Sequence, residues 1–206
     1  MPAKRGYSRP EFHVRAVLQS AHAHQVVGRS LIRVARALYG IDVVLHAIGD
    51  AEKIDEVEAV VDALLGDFSK ALCDEIARLD AVKTSSGISA APSYTNPAHV
   101  TFRISSPQLS QYADLIQALD RLMVSTDTLW LSGVFSNRQR ADAAYKWRNA
   151  LLALGRRIVE IEARAREFAV RKGKGGEVAA GEADAEAVVT LDGPDQLAED
   201  DEKAAA

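Results

Sequence analysis

Two short segments of strict apolar alternation set the first constraint on how this chain can fold. In Phe12–Leu18, Phe12, Val14, Ala16 and Leu18 fall on one face, with His13 and Arg15 on the other. In residues 100–105, Val100, Phe102 and Ile104 share a face, and Thr101, Arg103 and Ser105 point away. A period of two marks a half-buried strand. One short strand is not stable alone, so each needs a partner and a hydrophobic cover.

The cover is helical. Val27, Leu31, Val34, Ala35 and Leu38 recur at helical spacing over residues 24–39. Gly40 interrupts, and the apolar residues 41–48 extend the helix or form a separate turn. A long helix is predicted over 51–79, with Ile54, Val57, Val61, Leu64, Leu65, Phe68, Leu72, Ile76 and Leu79 as its stripe. Residues 84–97 carry two prolines and a glycine and read as a connector. After the second strand, Ser106 is a candidate N-cap and Pro107 suits the first helical turn. That helix carries Leu109, Tyr112, Leu115, Ile116, Leu119, Leu122 and Met123. The apolar stretch Leu129–Leu131 follows, then Gly133, then a second long helix from Ser136–Asn137 to about Phe168.

Both halves therefore read strand, helix, apolar linker, long helix. An ungapped offset of 84 residues aligns Leu31 with Leu115, Ile32 with Ile116, Leu38 with Leu122, Leu45 with Leu129 and Gly49 with Gly133. Repeats over 12–81 and 98–170 are one reading; chance identity between amphipathic helices is the other. The expected fold is mainly α with a minor β ribbon. Pairing the two strands would place His13, Arg15, Thr101 and Arg103 on one open face. Ribbon-helix-helix DNA-binding proteins have this architecture and insert a two-stranded ribbon into the major groove. The ordinary alternative is a solvated strand face, where Arg and Thr are common.

Charge is unevenly distributed. The 206 residues carry a net charge of -4, but residues 177–206 hold ten acids and one base, about -9. Residues 1–176 then carry +5. The acidic stretch lacks aromatics and reads as a disordered tail over 171–206, with Val188–Leu191 its one apolar piece. One expected role is competition with DNA for the basic body. Lys4, Arg5 and Arg9 make residues 1–11 a candidate phosphate-binding arm. The second long helix opens Asn137-Arg138-Gln139-Arg140, which places Arg138 and Arg140 where helix N-termini favour phosphate. The first opens Asp50-Ala51-Glu52-Lys53, which does not.

No run approaches the roughly 18–20 apolar residues that cross a bilayer, no signal peptide is evident, and one cysteine permits no internal disulfide. The expected setting is the cytoplasm. His22 and His24 lack the companions of a metal site, so no metal or cofactor is expected. Cys73 reads as a buried small residue, and Trp130 and Trp147 as core. Asp62, Asp67 and Glu75 read as solvated helix positions, and Lys172–Gly176 lacks phosphate-loop spacing. No nucleophile has a positioned base, so no catalytic residue and no enzyme is expected.

The runs Tyr94-Thr95-Asn96-Pro97, Ile104-Ser105-Ser106-Pro107-Gln108, Asp127-Thr128-Leu129-Trp130-Leu131 and Ala144-Tyr145-Lys146-Trp147 resemble the AcaB-like family of regulators, found on conjugative plasmids and integrative conjugative elements. The resemblance covers about 12–170. It implies a ribbon-helix-helix-like DNA-binding protein that activates conjugative-transfer genes. The expected partners are double-stranded DNA, a second copy in a homodimer, and the transcription machinery, with no membrane. Arg103 is the first candidate for base contact, then Thr101, Arg15 and His13, with Arg138 and Arg140 for phosphate. The competing expectation is a non-enzymatic adaptor or assembly factor that binds proteins through its two long helices.

Overall fold

The two alternating segments pair with each other. The computed structural model describes residues 10–48 and 51–174, with side chains at 10–42 and 55–174. The N-terminal arm residues Lys4, Arg5 and Arg9, the residues opening the first long helix, and the tail from 175 lie outside the described side chains. The strands are β1 (Phe12–Leu18) and β2 (Ala98–Ile104). They run antiparallel in a two-stranded sheet, with Phe12 opposite Ile104, Arg15 opposite Thr101 and Leu18 opposite Ala98.

Helices α1 (Ala21–Val26) and α2 (Ile32–Ile48) are joined by the π-helical turn Val27–Leu31. The helix begins at Ala21 rather than His24, because Ser20 caps it by accepting the Ala23 N–H at 3.2 Å. It continues through Gly40, whose missing side chain makes room for Glu162: an added Cβ would lie 2.9 Å from Oε1. Next come α3 (Ala51–Ser85), α4 (Pro107–Leu131) and α5 (Asn137–Arg171). The expected apolar linker at Leu129–Leu131 is the last turn of α4, which ends where Gly133 adopts φ +74°.

The order is strand, helix, helix, then strand, helix, helix. Corresponding features lie 86 residues apart: the strand starts at 12 and 98, the capping serines at 20 and 106, and the starts of α3 and α5 at 51 and 137. The five identities at an offset of 84 therefore do not mark the correspondence of the elements. Periodic leucines produce such matches between unrelated amphipathic helices.

The core joins one face of the ribbon to all the helices. Phe102, Leu109, Tyr112, Ile116, Leu119, Leu122 and Leu129 form its centre, with Leu65, Leu72 and Leu79 from α3 and Leu151 and Ile158 from α5. Tyr112 is fully buried and donates to Ser30 Oγ at 2.9 Å, and Ser30 donates to the Val26 carbonyl at 2.7 Å. Burial pushes the Tyr112 hydroxyl up to about 12, so it stays a donor. Gly155 lets α5 approach here, since a Cβ would sit 2.8 Å from Tyr112 Oη and 3.1 Å from Val34 Cγ2.

Three sequence expectations are corrected. Phe12 and Val14, predicted to be half-buried, are 76% and 39% exposed, because among the described residues the helices cover the β2 side of the ribbon better than the open end of β1. Cys73 is exposed: it follows the fully buried Leu72, and one residue turns a helix by about 100°, out of the core. Trp130 is only partly buried and donates its indole N–H to Asn137 Oδ1 at 2.6 Å. Trp147 is core, edge-on to Phe68 with ring centroids 6.1 Å apart.

Candidate nucleic-acid interface

The pairing register decides which side chains share the outer face of the ribbon. His13 lies opposite Arg103, Arg15 opposite Thr101, and Val17 opposite His99. His13, Arg15, Val17 and His99 are exposed, whereas Thr101 and Arg103 are partly buried. All four sequence-predicted ribbon residues therefore come together, with Arg15 and Thr101 at the midpoint of the seven-residue pairing. His99 joins them. It lies just before the alternating run of residues 100–105, and β2 extends to include it.

The ends of this face differ electrostatically. Arg103 donates to Glu11 Oε2 from Nη2 at 2.9 Å and from Nε at 3.3 Å. His13 Nε2 lies 3.7 Å from the same carboxylate oxygen. Glu11 thus clips the two bases at one end of the ribbon. Arg15 makes no ion pair among the described residues, which leaves its guanidinium presented to solvent at the centre.

The ribbon is tied to the bundle at its other end. Asp120 on α4 is buried and accepts the N–H of Ser20 at 2.7 Å and of Gln19 at 3.0 Å. These amides lie just past β1, where the chain turns into α1. Asp120 thus ties the end of β1 and the start of α1 to α4.

The two arginines at the start of α5 have different surroundings. Arg138 is exposed and lies 3.7 Å from Asp142. Arg140 is held inward: its Nε donates to Asp127 Oδ1 at 2.5 Å, and its guanidinium stacks 4.3 Å above the Trp130 ring. Tyr94 donates to the second oxygen of Asp127 at 2.8 Å. Burial first, and then that hydrogen bond, hold the Tyr94 hydroxyl well above its ordinary range. Tyr94, from the run 94–97, and Asp127 and Trp130, from the run 127–131, together with Arg140 thus lock the connector, the end of α4 and the start of α5 together. The α5 N-terminus is itself closed by a capping box between Ser136 and Gln139. Near this junction, His22 Nδ1 is buried without a hydrogen bond. Burial, then the Arg148 charge, lowers its proton affinity. Among the described residues, no three His, Cys, Asp or Glu side chains converge as metal ligands would.

The two long helices differ sharply in charge. Helix α3 carries nine acids and four bases, whereas α5, of equal length, carries nine bases and four acids. Exposed Arg33 and Arg36 on α2 and Arg156 and Arg157 on α5 add to the basic side. Each is unremarkable in the sequence as a solvated helix position. The packing of α2 on α5 brings Arg33, Arg36 and Arg156 to one side of the helix pair.

These elements define a class: a helical protein carrying a two-stranded antiparallel ribbon with a basic outer face. No family model and no curated protein matches the chain. The crystal structure of selenomethionine-containing AcaB from uropathogenic E. coli does match, with a TM-score of 0.82 and 41% identity over 86% of this chain and 97% of that one. The chain belongs to the AcaB family. No described helix is long and apolar enough to cross a membrane.

Proposed function

We propose that this protein is a ribbon-helix-helix-like DNA-binding regulator of transcription, acting without catalysis on genes of a mobile or conjugative element. The observation that carries the proposal is Arg15, exposed, without an ion pair among the described residues, and beside Thr101 at the centre of the antiparallel ribbon. The major groove admits a two-stranded ribbon, Arg can donate two hydrogen bonds to guanine, and Thr can bond a base edge or pack on the thymine methyl. The repeated strand-helix-helix order supports the same reading, with the ribbon formed within one chain as a pseudo-dimer. Arg103 and His13 join the contact once DNA displaces Glu11. Arg138 contacts phosphate. Arg140 acts chiefly as a structural clasp on Asp127, and a homodimer would let two ribbons engage two half-sites.

The adaptor alternative gains no support from the long helices. Their large exposed apolar residues, Val60 on α3 and Tyr145 and Val170 on α5, are widely separated rather than a continuous stripe.

Fluorescence anisotropy with the protein's own upstream duplex and with random duplex, over a salt series, tests the proposal. Specific binding with a steep salt slope, reduced in Arg103→Ala and Arg15→Ala while the fold persists, is expected. A folded protein with no binding near physiological salt would refute it.

A further inference from the structure

Helices α2 and α5 run side by side in the same direction. Gln25 meets Arg148 at 3.1 Å, Ser30 and Val34 crowd Gly155, and Gly40 abuts Glu162. The residue numbers rise together on both helices. Arg33, Arg36 and Gly40 recur at spacings of three and four, so they form one stripe of α2. Since Gly40 touches α5, the arginine stripe borders the α2–α5 seam. On α5, Gly155 is level with Val34, and Arg156 lies about 100° further round, on the outer edge of the same side. Arg33, Arg36 and Arg156 are exposed, and none forms an ion pair among the described residues. The buried carboxylate at the seam, Glu162, is already taken by Arg166.

A seam of unpaired guanidiniums favours a polyanion, and the chain carries one. Residues 177–206 hold ten acids against one base. They follow directly from α5, which ends at Arg171. From Arg171 back to Arg156 is about 22 Å at 1.5 Å per helical residue. The thirteen residues from Lys174 to Glu186 span up to roughly 40 Å when extended. The first acids of the tail therefore reach the whole seam without crossing the molecule. By contrast, the acidic α3 would repel the tail.

We infer that the α2–α5 seam, through Arg33, Arg36 and Arg156, is the docking surface for the chain's own acidic C-terminal segment. The contact is electrostatic and intramolecular, and it does not require that the ribbon reads DNA. It keeps the most basic helix surface occupied until a stronger polyanion competes.

The test uses the full chain with Cys73→Ser and a spin label on a cysteine placed at Ala187. At low salt, the amide NMR signals of residues around 33–36 and 156–157 lose intensity selectively. The loss disappears at ~0.5 M salt, where the screening length is about 4 Å. It also disappears when Arg33, Arg36 and Arg156 are replaced by glutamine, substitutions at exposed positions that leave the spectrum of the core unchanged. A loss centred on the ribbon, or no loss anywhere, overturns the assignment. Transfer of the broadening from labelled to unlabelled chains in a mixture overturns it too, because the occupant would be a second copy. A seam that shifts on adding duplex DNA but shows no tail broadening also overturns it, by assigning the surface to nucleic acid.

Discussion

Asp120→Ala is the substitution that most sharply separates the ribbon from the helices that carry it. The carboxylate accepts two backbone N–H groups, from Ser20 at 2.7 Å and Gln19 at 3.0 Å. Hydrogen bonds to a charged partner contribute about 1.5–3 kcal/mol each. Ser20 is buried, so its amide would lose its acceptor with no water to replace it. Gln19 is only partly buried, and water recovers part of its bond. The expected loss is therefore about 2–4 kcal/mol. A domain of this size loses about 2–4 °C of Tm per kcal/mol, so the shift is on the order of 5–15 °C. Asp120→Asn keeps one acceptor oxygen and should fall between the parent and Asp120→Ala. Hydrogen exchange locates the damage: the ribbon amides of 12–18 and 98–104 should open at lower cost, while the middle of α5 follows only the global stability. If Asp120→Ala stays within about 0.5 kcal/mol of the parent, the carboxylate is not the anchor and the reasoning fails.

Other predictions follow from neighbouring contacts. Ser30→Ala should cost about 1–3 kcal/mol by chemical denaturation, because it strands the buried Tyr112 hydroxyl, whereas Tyr112→Phe should cost about 1 kcal/mol. A reversed order would contradict the network. Glu11→Gln removes the carboxylate that holds Arg103 and His13; it should change stability by less than about 1 kcal/mol and tighten duplex binding up to roughly fivefold in anisotropy titrations. His22 is held neutral in the fold by burial and the Arg148 charge, so its stabilising contribution is complete above its ordinary value of 6.5 and declines as pH falls through and below it. Comparing Tm at about pH 7.5 and about pH 5.5, the parent should lose more than His22→Gln; an equal loss would exonerate His22. Replacing the ten acids of 177–206 by their amides should tighten binding to random duplex at low salt, and unchanged binding would mean that the tail does not compete.

Much of this fold was legible in the sequence because its signals are local. The alternation in 12–18 and 100–105 gave the strands, Ser106-Pro107 gave the start of α4, and the apolar stripes gave the helices. What escaped depended on tertiary contacts. Gly40 looks like a break until Glu162 is seen filling its space, and the capping role of Ser20 extends the first helix by a turn. Cys73 sits one residue off the buried stripe, a distinction the apolar surroundings obscured. At the interface, the period of two correctly grouped Arg15, Thr101, His13 and Arg103. His99 shares their parity, but it precedes the alternating run at Val100, whereas β2 starts at Ala98. The period could not rank the arginines, since the partners Glu11 for Arg103 and Asp127 for Arg140 lie 92 and 13 residues away in the chain. The basic seam arises only from the packing of α2 on α5.

The central claim is that the outer face of the ribbon reads guanine in the major groove. A double-mutant cycle tests it most directly, pairing Arg15→Ala with replacement of the guanines in the bound site by 7-deazaguanine, which lacks the N7 acceptor. If Arg15 donates to N7, the two changes are non-additive in anisotropy titrations, with a coupling of about 1–3 kcal/mol at one guanine and none at the others. If they are additive at every guanine, Arg15 does not read the groove there and the account of this face is wrong.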